Sequence, residues 1–61
     1  MEYRLVYKND RETLFVADDD IDAVRQVFRA LEIPGRVMNR KFYAAGAKAI
    51  YFKDRKVFPV P

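Results

Sequence analysis

The 61-residue chain contains no cysteine, no histidine and no serine, and its one threonine is Thr13. Without Cys no disulfide or thiolate site can form, and without Cys and His the usual zinc ligand sets are missing. A catalytic triad or a His proton shuttle cannot be assembled. Carboxylates, Lys and Tyr remain as groups able to do chemistry, but a chain this short rarely builds a water-excluding pocket around them. The expectation is a non-enzymatic protein that needs no cofactor and no metal. No apolar run approaches the ~20 residues of a membrane span. The opening "MEYRLVYKND" is charged from Glu2 onward and has no apolar signal core. A cytoplasmic protein without membrane association is therefore expected.

What is present is enough for one small domain, residues 1–61. Half of the residues (51%) are hydrophobic, and four Tyr and five Phe supply bulk for a core. A domain of this size buries only ~60% of the surface its unfolded chain exposes, which leaves a thin stability margin. Small domains widen that margin with disulfides, metals or self-association. With the first two routes closed, a homo-oligomer or a partner stays open.

"EYRLVYK" alternates, with Tyr3, Leu5 and Tyr7 on one side and Glu2, Arg4, Val6 and Lys8 on the other. "NDRE" supplies turn residues and "TLFVA" a second run of β-formers, so the two strands read as a hairpin. In "DDDIDAVRQVFRALEIPG", Ile21, Val24, Val27, Phe28 and Leu31 recur at helical spacing. Pro34 pushes Ile33 out of the α region, so this helix is predicted to stop near Glu32. Residues 37–45 read equally as a third strand or as a short helix from Arg40 to Ala45 closed by Gly46. "AKAIYFK" is a strand, Asp54-Arg55 a tight turn, and "KVFPV" an edge strand in which Pro59 has no N–H to donate. The expected fold is α+β, a ββα(β)ββ domain with a mostly antiparallel sheet and one amphipathic helix packed on one face.

Asp18, Asp19, Asp20 and Asp22 invite a metal-site reading. A calcium loop of the EF-hand kind needs a central Gly and a Glu at its twelfth position, where this chain has Arg29. The same residues fit a helix start: Asp18 or Asp19 as N-cap, the others in the first turn against the helix dipole.

Charge divides the chain. Residues 1–35 hold five Lys/Arg against eight Asp/Glu, whereas residues 36–61 hold seven Lys/Arg against Asp54 alone. Aromatics interleave with the basic half, and the partner-binding candidates there are Arg36, Arg40, Lys41, Phe42, Tyr43, Lys48, Tyr51, Lys53, Arg55 and Lys56. Two uses fit this pattern. An aromatic patch rimmed by Lys and Arg is the composition of a protein-interface hot spot, here for an acidic protein partner that is inhibited or modulated. Alternatively, Lys and Arg neutralise phosphates while Phe and Tyr stack on bases of single-stranded or non-specifically bound nucleic acid. No RNP signature, GXXG loop or helix-turn-helix pattern accompanies the second use. The plain structural reading is that Ile50 and Phe52 are core, while Lys48 and Lys53 are solvated strand ends that discourage edge pairing.

Geometry adds to the first use. A helix ~20 Å long and ~10 Å wide covers about two strands spaced ~4.8 Å apart, so four or five strands keep uncovered surface. In "AIYF", alternation puts Tyr51 opposite Ile50 and Phe52, so Tyr51 is expected on the exposed side with Phe42 or Tyr43 nearby.

"TLFVADDDIDAVRQVF" followed by "PGRV" resembles the strand–helix–turn passage of small phage-encoded proteins that inhibit bacterial RNA polymerase. The likeness covers residues 13–37 and rests on Val16-Ala17, the acidic helix start and Ala23, a pattern shared with unrelated sheet-and-helix domains. It implies a protein that binds and modulates another protein. The basic half departs from it, since the inhibitor concerned is acidic.

Overall fold

The computed structural model describes residues 1–34 and 38–60. Four strands and two helices follow in the order β1 (Glu2–Tyr7), β2 (Glu12–Val16), α1 (Asp20–Ala30), α2 (Met38–Ala44), β3 (Ala47–Phe52) and β4 (Arg55–Phe58). The strands form one antiparallel sheet in the order β2-β1-β3-β4. This is the expected α+β domain, with the open choice at residues 38–44 resolved as a helix.

Each element ends on identifiable chemistry. In the β1–β2 turn the Asp10 N–H donates to the Tyr7 carbonyl at 2.9 Å, and Asn9 Oδ1 accepts the Arg11 N–H at 3.1 Å. Asp10 takes φ 66°, a conformation Asp tolerates better than most residues. Of the two N-cap candidates Asp19 caps α1: its Oδ1 accepts the Asp22 N–H at 2.8 Å. Asp22 answers by accepting the Asp18 N–H at 3.0 Å and Gln26 Nε2 at 3.1 Å. At the other end the Ile33 N–H donates to the Phe28 carbonyl and the Glu32 N–H to that of Arg29. These are the two bonds of a Schellman closure, with Glu32 at φ 56° where glycine is the usual choice. Gly46, at φ 92°, closes α2 as its position predicts.

Both helices pack on the same side of the sheet. Phe28 of α1, Phe42 of α2 and Phe58 of β4 meet with ring centroids 4.9–6.1 Å apart, and Phe58 pairs with Ile50 across β3–β4. The expected single covering helix is therefore a pair. Phe42 explains why residues 38–44 wind as a helix. It is wholly buried while its neighbours Lys41 and Tyr43 are exposed, and a helix delivers that one aromatic to the core without needing a strand to pair with. One position of the α1 stripe is corrected: Ile21 is 66% exposed, whereas Ala23, two residues on and so on the opposite side of the helix, is fully buried.

Tyr3 sits at the centre of the covered face, fully buried, stacked on Phe15 at 5.8 Å and tilted on Phe52 at 5.1 Å. Its hydroxyl donates to Asp20 Oδ1 at 2.8 Å. Arg55 clamps the same carboxylate with two bonds, Nη1 to Oδ2 at 2.7 Å and Nη2 to Oδ1 at 3.1 Å. The Arg55 bonds and then the Tyr3 hydroxyl hold the Asp20 carboxyl below the usual carboxylate range. Burial and the adjacent Asp20 push the Tyr3 hydroxyl up. Asp20 thus ties the start of α1 to β4 through Arg55 and to β1 through the buried Tyr3.

Candidate functional site

The side of the sheet away from the helices has no covering element among the described residues. Register builds it directly. Arg4 pairs with Leu14 on one side and Tyr51 on the other, and Tyr51 pairs with Lys56. Directly paired residues share a face, so Leu14, Arg4, Tyr51 and Lys56 form one row across all four strands. A second row runs through Glu12, Val6 and Ala49, and a third through Val16 and Glu2. Leu14 is 58% exposed and Val16 70%. Ala49 is buried but stands outside the core cluster.

Arg4 organises the centre of this face. Its guanidinium lies over the Tyr51 ring, 5.1 Å from the centroid, an arrangement worth about 0.5–1 kcal/mol at an exposed site. One Arg4 nitrogen donates to Glu12 and the other to the Lys53 carbonyl at 3.2 Å. The ring is thereby half-buried, with one side covered by the guanidinium. Lys53 turns the chain at φ 55° and its ammonium lies 5.4 Å from the Phe52 ring, at the rim between the two faces.

The candidate residues named from sequence divide among different places. Tyr51 and Lys56 stand on the open face and Lys53 at its rim. Tyr51 lies opposite Ile50 and Phe52 as alternation requires, but its neighbour is Arg4, not Phe42 or Tyr43. Phe42 is a correction: with no exposed surface it is core and cannot touch a partner. Arg55 lies on the covered side, clamped to Asp20 and 5.7 Å from the Phe52 ring. Lys48 occupies a bulge in β3 and approaches Asp10 at 3.8 Å. Arg40, Lys41 and Tyr43 are exposed on α2, in the helical layer, and so are not on the face that carries Tyr51. Arg36 lies outside the described residues. Sequence reasoning passed over Arg4, Val6, Leu14 and Val16. The period-2 alternation of β1, continued into β2, was the signal that could have found them.

Two shallow grooves formed by described residues lie on the helical side. One, of about 420 Å³, lies between α1 and β4 and is lined by Ile21, Val24, Val57, Phe58 and Val60, with Asp20 and Arg25 at its edge. The other, of about 160 Å³, lies between α1 and β2. Among the described residues no helix is long and apolar enough to cross a membrane. Compared with family models, with curated proteins and with solved structures, the chain matches none.

Proposed function

We infer that this is a non-enzymatic binding protein that docks the open face of its sheet on a cytoplasmic protein partner and thereby modulates it. The observation that carries the reading is the uncovered face itself. It presents the aliphatic side chains of Val6, Leu14 and Val16 on the same side of the sheet as a tyrosine whose ring lies beneath the Arg4 guanidinium. Tyr and Arg are the residue types enriched in binding hot spots, and here they share a face with exposed aliphatic surface. Lys53 and Lys56, exposed and without an ion-pair partner among the described residues, bias the β3–β4 end toward an acidic surface.

Nucleic acid is the competing partner class. Base stacking wants several open aromatic faces, whereas this sheet face presents Tyr51 alone, already covered on one side by Arg4. The exposed Arg40 and Lys41 of α2 point elsewhere. Protein docking is therefore the better supported of the two.

The test is a nuclease-treated pull-down with the wild-type chain and with Tyr51→Asp. A stoichiometric protein that survives nuclease, and whose affinity falls by about 2 kcal/mol or more in the variant, supports the reading. Loss of all bound material on nuclease treatment, with steeply salt-dependent binding to single-stranded oligonucleotides, replaces it with the nucleic-acid reading.

A further inference from the structure

The two edges of the sheet are guarded very differently. β4 carries Arg55 and Lys56, bulges at Val57 and leads into Pro59. Basic side chains, bulges and proline all discourage a further strand from pairing. β2 has none of these. Its register with β1 is regular throughout, it contains no Lys, Arg or Pro, and its one charge, Glu12, is bonded to Arg4 of the adjacent strand.

The phase of the β1–β2 ladder fixes which groups of β2 point outward. Met1 and Ala17 exchange bonds of 2.9 and 3.0 Å, and the Tyr7 N–H donates to the Arg11 carbonyl at 2.8 Å. Bonded and non-bonded pairs alternate in an antiparallel ladder, so Thr13 and Phe15 also direct their main chain toward β1. The N–H and C=O of Glu12, Leu14 and Val16 then face the free edge. The Val16 carbonyl accepts Gln26 Nε2 at 2.9 Å, and the rest have no partner among the described residues.

We propose that β2 pairs antiparallel with β2 of a second copy, across a two-fold axis at Leu14, to make one continuous eight-stranded sheet. In this register Leu14 faces Leu14 of the second copy, and Glu12 faces Val16. These are the three outward-directed residues, and each pair exchanges two main-chain bonds. The Val16 carbonyl has a second lone pair for the added bond.

Charge selects the same orientation. Lys8 and Arg11 flank the start of β2, and Asp18 and Asp19 follow its end. None of the four has an ion-pair partner among the described residues. Antiparallel pairing lays the basic end of each copy on the acidic end of the other, whereas parallel pairing would set like on like. The two acids at the basic end are met within the chain, Asp10 by Lys48 at 3.8 Å and Glu12 by Arg4. On the open face Leu14 and Val16 gain cover. On the helical side Thr13 of one copy meets Phe15 of the other, beside the groove between α1 and β2. The strand is already extended, so little ordering cost opposes the association. The pairing rests on the ladder phase and the end charges of β2, not on the open face, although Leu14 and Val16 take part in both surfaces.

Sedimentation equilibrium on the full chain tests it. The wild type is expected to be a dimer at micromolar concentration. Leu14→Glu sets two carboxylates against each other on the axis, while Arg4 neighbours each within its own chain. The expected result is a folded monomer with an unchanged circular dichroism spectrum. Arg11→Glu alone and Asp18→Lys alone should each raise the dimer Kd at least tenfold. Mixing those two variants in equal amounts should restore dimerisation, because each reversed end then meets its opposite. Within one chain the two positions lie about 24 Å apart at ~3.4 Å per strand residue, so an internal pair cannot produce that rescue. A wild type that stays monomeric into the millimolar range overturns the proposal, as does a mixture that associates no more tightly than either variant alone.

Discussion

The covered and open faces of the sheet alternate along the same strands, yet they handle polar groups in opposite ways. On the covered face Tyr3, Leu5, Ile50 and Phe58 are buried. Its charges stand at one corner, where Asp20 receives Tyr3 and Arg55 together. On the open face a charge stands beside apolar groups in every row, and Arg4 alone touches Glu12, Tyr51 and the Lys53 carbonyl. The difference shows that period-2 alternation sorts residues by side, not by polarity: Leu14 and Val16 are as apolar as core residues but lie on the wet side. Stability should therefore reside on one face and be nearly indifferent to the other.

The sharpest way to break that contrast is to put one charge on each face. Ile50→Asp buries a carboxylate with no partner. A domain of this size has a stability of order 3–9 kcal/mol, so the variant should not fold, as read by loss of a cooperative thermal transition. Tyr51→Asp, one residue along, should melt cooperatively. The reverse outcome would mean the faces have been assigned backwards.

A finer cut uses α2, where core and surface are adjacent in sequence. Phe42→Ala should cost about 3–5 kcal/mol in urea denaturation. Tyr43→Ala, at a site 40% exposed whose ring lies edge-on to Phe42 at 6.0 Å, should cost only about 0.5–1.5 kcal/mol. Equal effects would show that this helix does not anchor through Phe42.

Smaller again is the cap that starts α1. Asp19→Ala should destabilise by about 0.5–2 kcal/mol, while Asp18→Ala, which keeps the main-chain donor to Asp22, should cost less. EDTA, Ca²⁺ and Mg²⁺ should leave the melting temperature of the wild type unchanged; a metal-dependent rise of several degrees would assign the acidic cluster to an ion instead.

The gentlest effect is on acid stability. Arg55 and Tyr3 lower the Asp20 carboxyl, and the Asp18 amide followed by Gln26 lowers that of Asp22. A depressed folded-state carboxyl contributes fully above the unfolded value of about 4 and loses that contribution as pH falls below it. Stability should hold from neutral pH to about 5 and decline from there toward pH 2. Asp20→Asn with Asp22→Asn should shallow that slope, and an unchanged slope would place the acid sensitivity at other carboxylates.

Local order was legible wherever one period ruled. The alternation of β1, most of the stripe of α1 and a cap at Asp18 or Asp19 follow from neighbours within a few residues. Residues 38–44 were ambiguous because one buried aromatic among cations satisfies a strand and a helix equally. The site was harder. Arg55 meets Asp20 across 35 positions, and Arg4 meets Lys53 across 49. A count of charges along the chain sees a basic half awaiting a partner, whereas folding has already answered part of it from the acidic half. Phe42 failed as a contact residue for a related reason: an aromatic beside cations looks alike whether it faces inward or outward.

The placement of β1 has a consequence for time. β1, synthesised before its partners, lies inside the sheet, between its hairpin partner β2 and β3, which begins at Ala47. Until the last quarter of the chain exists, one edge of β1 has nothing to bind, and the covered face lacks Ile50 and Phe58. Pairing across so long a stretch is slow compared with forming a hairpin or a helix. A nascent chain ending near Ala45 would therefore expose Tyr3 and Leu5 beside an unsatisfied strand edge, a state that invites capture by a chaperone or by another chain.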